Sequence, residues 1–183
     1  MINPMDLTGK HVVITGASAG IGRATAVQAS KLGARVSLIA RNEERLKETL
    51  AMLDGEGHRY FVFDLNDVGE IESLVKNVVL QGGVLDGFVH CAGIGPNRPI
   101  KLTKPSFVEE VTRIHYFAFA ELLRCVSARN CANDGASFVG VSSVAAVHGN
   151  KAQGAYAAAK SAMTAIVHPY SKELAPRGIR VNT

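Results

Sequence analysis

The sequence has no tryptophan and only three cysteines, Cys91, Cys125 and Cys131. Three thiols cannot all pair, and none belongs to a C-x-x-C motif, so the chain has no disulfide framework. No cluster of histidine and cysteine has metal-ligand spacing, and we expect no metal. A reducing, cytoplasmic location is the expectation that follows.

Long hydrophobic runs and long runs of one charge are also missing. No apolar stretch approaches the roughly 18 residues of a membrane span, and no charged segment followed by an apolar one resembles a leader, so we expect no membrane partner. The net charge is +4, and the basic residues are scattered among acids, as in residues 41–45. This pattern is typical of a solvated face and predicts no nucleic-acid partner.

What the chain does have is an alternation of short apolar runs with amphipathic stretches. Such alternation predicts parallel strands joined by right-handed crossovers. We therefore expect an α/β fold, a doubly wound parallel sheet with helices on both faces, in one domain over 1–183 that ends in the sixth strand. Ligands bind such sheets where the strand order reverses. Strands are predicted at 11–15, 35–40, 60–63, 84–91, 136–142 and 178–181, and helices at 20–32, from Asn42, from Asp67, from Phe107 for about 20 residues, and at 156–174.

A glycine-rich turn lies between the first strand and the first helix. Gly16 allows a tight turn, Gly20 lets backbone approach a pyrophosphate, and Gly22 permits close helix–strand packing. The helix amino terminus adds unpaired N–H groups for the anion. A glycine turn can also be purely structural, but its place between a strand and a helix favours a dinucleotide site.

Tyr156 and Lys160 are four residues apart and share one face of a predicted helix. A free phenol has a pKa near 10 and is a poor acid–base catalyst at neutral pH. A lysine charge one turn away, helped by an oxidised nicotinamide, favours the phenolate. Ser143, at the end of the fifth strand, can donate a hydrogen bond to a substrate oxygen. Each feature alone is ordinary; in this order, after a nucleotide loop, they indicate catalysis.

The T-G-x-x-x-G-x-G turn followed by Ser and Tyr-x-x-x-Lys resembles the short-chain dehydrogenase/reductase family, and the match extends along nearly all of the chain. The Tyr-Ala-Ala-Ala-Lys segment and residues 172–182 are similar to 3-oxoacyl-acyl-carrier-protein reductase-like members. The resemblance implies that Tyr156 transfers the proton, Ser143 polarises the carbonyl, and Lys160 holds the nicotinamide ribose. It assigns cofactor binding to Gly16, Ser18, Ala19, Gly20, Ile21, Gly22, Arg41, Asp64, Leu65, Cys91, Ala92, Gly93, Tyr156 and Lys160.

Three positions depart from the family's pattern. His90 and Cys91 stand where the family has two asparagines, and His115 stands where it often has the asparagine of a catalytic tetrad. We list His115 among the catalytic candidates, and a packed or interface histidine is the alternative. Family members also continue past Thr183 through a substrate loop and a further strand, so the resemblance implies that these parts are lacking here.

The end of the second strand predicts the type of cofactor. An acid there receives the adenosine ribose hydroxyls of NAD, but this chain has Ala40 and then Arg41. Alanine leaves room for a 2′-phosphate, and arginine can offer it two parallel donors. Ser18 can add a hydroxyl, whereas Ala19 lacks the second basic residue of many NADP-preferring members. We expect NADP(H), with a moderate preference.

The resulting hypothesis is an NADP(H)-dependent carbonyl reductase or alcohol dehydrogenase that acts on a small molecule, with a 3-oxoacyl thioester as one candidate. The alternative is a non-catalytic nucleotide-binding sensor or structural protein. The long helix from Phe107 also carries Tyr116, Phe117 and Phe119, more aromatic surface than one core face needs. Because family members pair this helix and the Tyr156 helix across two-fold axes, we expect a homodimer or homotetramer.

Overall fold

The computed structural model describes residues 3–183, and its centre is a parallel sheet of six strands. The order in the sheet is β3-β2-β1-β4-β5-β6, so the direction of strand addition reverses between β1 and β4. A crevice therefore opens there, at the carboxyl ends of the strands. The strands are β1 His11–Thr15, β2 Arg35–Ala40, β3 Arg59–Val62, β4 Leu85–His90, β5 Ala132–Gly140 and β6 Arg180–Asn182.

Helices cover both faces of the sheet, as predicted. Their bounds are α1 Gly20–Lys31, α2 Glu43–Leu50, α3 Ile71–Gly82, α4 Pro105–Thr112, α5 Ala118–Val126 and α6 Gly154–Leu174. Side chains of β1 show the alternation that a strand imposes. Val12 and Ile14 pack in the cluster that holds α1 and α2, whereas Val13 packs in the cluster that holds α3, α5 and α6. The doubly wound fold class is confirmed.

The fifth strand begins earlier than its sequence predicts. Asn133, Asp134 and Gly135 are turn-forming residues, so the pattern places the strand start at Ala136. In the structure β5 already pairs at Ala132, opposite Leu85, with a register shift before Ser137. The Arg177 guanidinium donates to the Asp134 carboxylate at 2.7 Å and to the Ala132 carbonyl at 2.7 Å. A contact from 45 residues away thus extends this strand.

The predicted helix after Phe107 is interrupted at its centre. A π-helical turn, Arg113–Phe117, separates α4 from α5. Such turns insert one residue into the helical repeat and are frequent at functional sites. One consequence is that Phe119 is fully buried, packed beside Phe88 and His90. Phe119 therefore adds nothing to the aromatic surface that the sequence predicted, and Phe117, 43% exposed, remains.

The helix predicted from Asn42 begins there, whereas the helix predicted from Asp67 begins later, at Ile71. The Asn42 side chain accepts a hydrogen bond from the Arg45 N–H at 2.9 Å, as an N-cap does. Asp67 makes no cap hydrogen bond, because a short 3₁₀ turn, Val68–Glu70, precedes α3. In the part of the chain that the structure describes, no helix combines the length and apolarity that crossing a membrane requires.

Candidate active site

A cleft of about 930 Å³ lies at the carboxyl edge of the sheet, over the reversal between β1 and β4. Its walls come from the turns after β1, β2, β3 and β4, which the parallel sheet brings to one edge. The lining contains every residue from Gly16 to Gly93 that the sequence predicted for cofactor binding. These are Gly16, Ser18, Ala19, Gly20, Ile21, Gly22, Arg41, Asp64, Leu65, Cys91, Ala92 and Gly93.

The three glycines of the turn meet different constraints. A Cβ on Gly16, whose φ is +67°, would lie 2.7 Å from the Ala92 nitrogen, so this turn and the end of β4 touch through backbone. A Cβ on Gly22 would overlap the Gly16 carbonyl. Gly20, with φ +53°, has nothing within 4 Å of its missing Cβ. A side chain there would project into open space at the start of α1, so the turn fits a pyrophosphate group.

Side chains from neighbouring helices hold the glycine turn in place. The Arg23 guanidinium donates to the Ser18 carbonyl at 2.7 Å and to the Thr49 hydroxyl at 2.9 Å. Thr49, which is fully buried, donates in turn to the Ala17 carbonyl at 3.0 Å. The turn is therefore fixed by α1 and α2 before any ligand binds.

The wall of the cleft after β2 is more basic than the sequence predicted. Arg41 lies 3.7 Å from the Asp64 carboxylate across the cleft, and both side chains are well exposed. Asn42 and Arg45 line the same wall, although the sequence analysis did not single them out. The sequence could have indicated both residues, because the first turn of a helix that directly follows a parallel strand lies at the carboxyl edge, beside the end of that strand.

None of the three residues of the predicted catalytic group lines the cleft, whose wall includes Ile94 and Ile114. Tyr156, half-buried in the first turns of α6, packs with Ile94 in one apolar cluster. Ser143 follows β5 and caps a 3₁₀ turn, its hydroxyl accepting the Ala145 N–H at 3.1 Å. Among residues 3–183, no hydrogen bond joins the Tyr156 hydroxyl to Ser143 or Lys160.

Lys160 is buried, with 5% of its surface exposed. Its ammonium donates to the Val141 carbonyl at 2.5 Å and contacts the Met163 sulfur at 3.8 Å. Burial lowers the pKa of this lysine to about 8, because desolvation disfavours the charged form. The amine is therefore still charged at neutral pH, and its third N–H has no partner in the described chain.

His115, at the centre of the π turn, is 1% exposed. Its Nε2 lies 2.7 Å from the Ile94 oxygen and 3.2 Å from the Ile94 nitrogen. One ring nitrogen cannot donate and accept at once, so the shorter contact favours an Nε2–H that donates to the carbonyl. Nδ1 is then an acceptor, buried with no partner in residues 3–183. The ring also meets Tyr156 edge-on, at 5.3 Å between centroids.

His90, the other departure from the family pattern, is fully buried at the end of β4. Its Nδ1 lies 2.9 Å from the Thr15 hydroxyl, which also accepts the Ala92 N–H at 3.4 Å. One imidazole thus joins the ends of β1 and β4. Burial lowers the pKa of His90 to about 3 and that of His115 to about 4, so both are neutral at pH 7.

Cys91, between them, is half-buried and lines the cleft. Burial raises the pKa of its thiol, which therefore stays protonated at neutral pH.

Away from the cleft, Glu72, Glu121 and Cys125 place three possible metal ligands within 4.8 Å of one another. Arg124 contacts both carboxylates at 2.6 Å, so a cation already occupies their oxygens.

The neutral histidines predict acid sensitivity. Below pH 6.5 the unfolded chain binds a proton at His115 that the folded chain, with a pKa of about 4, does not bind, so stability falls as pH falls from 6.5. At pH 5 this proton uptake lowers the free energy of unfolding by about 2 kcal/mol. We expect His115→Asn to reduce the loss in urea midpoint between pH 7.5 and 5.0, and His148→Asn, an exposed control, to leave it unchanged. If the urea midpoint of the His115→Asn variant falls between pH 7.5 and 5.0 as much as that of the parent, His115 is not a neutral residue of the folded chain.

Comparison with known proteins gives the cleft a family context. The family model for short chain dehydrogenases matches residues 10–183. Carbonyl reductase family member 4 of Danio rerio is 32% identical over 171 residues, which are 93% of this chain and 71% of that protein. A 3-oxoacyl-acyl-carrier-protein reductase of Thermotoga maritima is 31% identical over 180 residues, covering 97% of this chain and 73% of the relative.

Solved structures agree with the sequence relatives. A short chain dehydrogenase from Shigella flexneri superimposes with a TM-score of 0.90 at 29% identity, over 100% of this chain and 73% of that one. Another from Shigella flexneri 2a, in complex with NADP, gives a TM-score of 0.87 at 30% identity, over 97% and 77%. With the family model spanning nearly all of its residues, the chain belongs to the short chain dehydrogenase family of oxidoreductases.

Proposed function

We propose that this chain is an NADP(H)-dependent oxidoreductase that moves a hydride between the nicotinamide and a carbonyl or secondary alcohol. The observation that carries the proposal is one continuous edge of the sheet. At one end an open cradle over Gly20 suits a pyrophosphate, and at the other a buried, charged lysine lies one helical turn from Tyr156. The cofactor, when bound, supplies or accepts the hydride.

Three side chains carry out the remaining steps of the proposed reaction. Tyr156 donates a proton to the carbonyl oxygen in reduction and accepts one from the alcohol in oxidation. Ser143 accepts the Ala145 N–H, which leaves its own O–H free to donate to the substrate oxygen. Lys160 donates to the Val141 carbonyl and to the Met163 sulfur, which orients the ammonium and leaves one donor for the ribose hydroxyls.

His115 is proposed as the fourth member of this group. Its contact with the Ile94 carbonyl secures the loop after β4, and its ring edge packs against Tyr156. A Cβ on Gly93 would overlap the imidazole, so the glycine and the histidine fit each other. The ring therefore orients Tyr156 and the strand end; neutral at pH 7, it adds no charge.

The proposed cofactor is NADP(H). Ala40 leaves space for a 2′-phosphate, and Arg41 and Arg45 line that wall of the cleft. The Arg41 contact with Asp64 is an exposed pair, which contributes little, so Arg41 can turn to a phosphate. Cysteines 91, 125 and 131 are all free, in keeping with a cytoplasmic location. Names of relatives make 3-oxoacyl thioesters and ketones the first substrates to test.

Replacing Tyr156 by phenylalanine tests the reaction. We expect turnover to fall about 10²- to 10⁴-fold with cofactor affinity changed only a few-fold, because only the proton-transfer group is lost. Lys160→Ala should reduce both rate and cofactor affinity. NADPH oxidation at 340 nm with ketones and acyl thioesters measures the rate, and Tyr170→Phe, in the same helix, is the control. Turnover within about tenfold of the parent would reject Tyr156. A chain that binds NADPH but reduces nothing would favour the sensor alternative.

Replacing Arg41 by alanine tests the choice of cofactor. Hydrogen bonds to charged groups contribute roughly 1.5–3 kcal/mol, so NADPH binding should weaken about 10- to 150-fold. NADH binding should stay nearly unchanged. Titration calorimetry with both cofactors measures the difference, with Arg129→Ala as an exposed control distant in sequence. Equal losses for NADPH and NADH would mean that Arg41 does not contact the 2′-phosphate.

We also propose a homodimer or homotetramer formed through α4, α5 and α6. The surface that supports it contains Phe117, with Tyr116 against it at 5.5 Å between ring centroids. Light scattering at micromolar concentration should give at least twice the chain mass, and Phe117→Glu should lower it. Leu80→Glu, on α3 and 85% exposed in the described chain, should not. A monomeric mass for the parent protein would contradict the proposal.

A further inference from the structure

Acidic residues are missing from the loops that surround Tyr156. The sequence has no Asp or Glu between Asp86 and Glu109, and none between Asp134 and Glu173, although 16 acids occur in the whole chain. Residues 94–104 follow β4 and residues 143–153 follow β5, so both loops lie at the carboxyl edge of the sheet, next to the catalytic group. We call these two loops the rim.

The two loops of the rim are joined to each other and to the catalytic group. The Arg98 N–H donates to the Ala152 carbonyl at 2.7 Å. The Arg98 guanidinium stacks on the Phe107 ring, 3.7 Å from its centroid. Phe107 belongs to the apolar cluster that also contains Ile94 and Tyr156. Charges on the rim are therefore attached to the same packed unit as the proposed proton donor.

The rim carries four cations without a matching carboxylate. Arg98, Lys101, Lys104 and Lys151 are exposed, and none of them forms an ion pair within residues 3–183. The nearest acid along the chain, Glu109, is paired with Arg113 at 2.8 Å. Its neighbour Glu110 lines the cofactor cleft. The positive charge of the rim is thus left for a ligand.

Apolar side chains lie on the same two loops. Ile100 is 90% exposed, Leu102 63%, Val144 68% and Val147 87%. Val144 directly follows Ser143, so apolar surface begins beside the proposed oxygen-polarising hydroxyl. Cations together with apolar side chains suit a ligand that has both an anionic group and an apolar body.

We propose that the rim selects substrates that carry a phosphate or carboxylate on an apolar body, with Arg98, Lys101, Lys104 and Lys151 as specificity-determining residues. This inference rests on the proposed function, because it names the substrate class of the same site. The ligand is a soluble small molecule: its carbonyl reaches Tyr156, its apolar part contacts the valines, and its anion meets the lysines.

Binding of simple amphiphiles tests this without turnover. With the full chain saturated with NADP⁺, so that the cofactor cleft is filled, calorimetry compares octyl phosphate below its micelle concentration with 1-octanol. We expect octyl phosphate to bind at least tenfold more tightly at low salt, and the advantage to shrink at 0.5 M salt, where the Debye length is only several ångströms. Equal binding of the two compounds would overturn the proposal.

Charge reversal locates the site. Lys101→Glu combined with Lys151→Glu should abolish the advantage of octyl phosphate, because one lysine of each loop is inverted. Both positions are exposed, and the milder Lys101→Gln, Lys151→Gln pair should reduce it partly. Lys31→Glu, at the end of α1, is the matched control and should retain it. If the double variants still bind octyl phosphate as much more tightly than 1-octanol as the parent does, the rim is not the binding site. Binding only to anionic lipid vesicles would reject a soluble ligand.

Turnover separates this inference from the proposed function. Acetoacetyl-CoA and the acetoacetyl thioester of N-acetylcysteamine share the reacting group, but only the first carries phosphates. We expect kcat/KM to favour the CoA thioester at least tenfold, and the lysine reversal to lower only that value. Equal kcat/KM values for the two thioesters would overturn the proposal that the rim selects anionic substrates, and the proposed oxidoreductase activity would still stand. Failure to reduce either thioester, or any ketone, with octyl phosphate still bound would instead overturn the proposed reaction.

Discussion

The backbone after β1 and the backbone after β4 approach each other so closely that no side chain fits between them. Gly16 meets the Ala92 nitrogen and Gly22 meets the Gly16 carbonyl, so the start of α1 is drawn tightly onto the sheet edge. This closeness leaves the crevice over the strand reversal open and places the helix amino terminus at its floor. Arg23 and Thr49 stabilise the turn from outside. The cleft, and every residue that lines it, depends on that approach.

Two imidazoles occupy positions at which the family resemblance implies amides. His90 connects the ends of β1 and β4 through Thr15, and His115 connects the loop after β4 to the α4–α5 segment through Ile94. Each uses one ring nitrogen and leaves the other buried without a partner in the described chain. Such a nitrogen costs free energy, yet the neutral ring avoids adding charge beside Lys160. The histidines preserve the geometry of the strand ends and make the fold sensitive to acid.

Charge is distributed unevenly around the same edge. After β2, where the adenosine is proposed to bind, Arg41 lies 3.7 Å from Asp64 and Arg45 lines the same cleft. At the rim there are cations and apolar side chains but no acid. Between them the interior holds neutral histidines and the buried ammonium of Lys160. A dinucleotide and an amphipathic anion would therefore meet different electrostatic surroundings on either side of Tyr156.

The sequence by itself determined the sheet and the strand ends and glycine turn that line the cleft. Strand alternation and the glycine spacing are local patterns, and in a parallel sheet they are enough to bring Gly16, Arg41, Asp64 and Cys91 to one edge. Local patterns did not show that Arg177 extends β5 from across the fold. They also missed the π turn that buries His115 and Phe119. These features are set by packing between distant segments, which no window of sequence contains, so only the tertiary structure decided them.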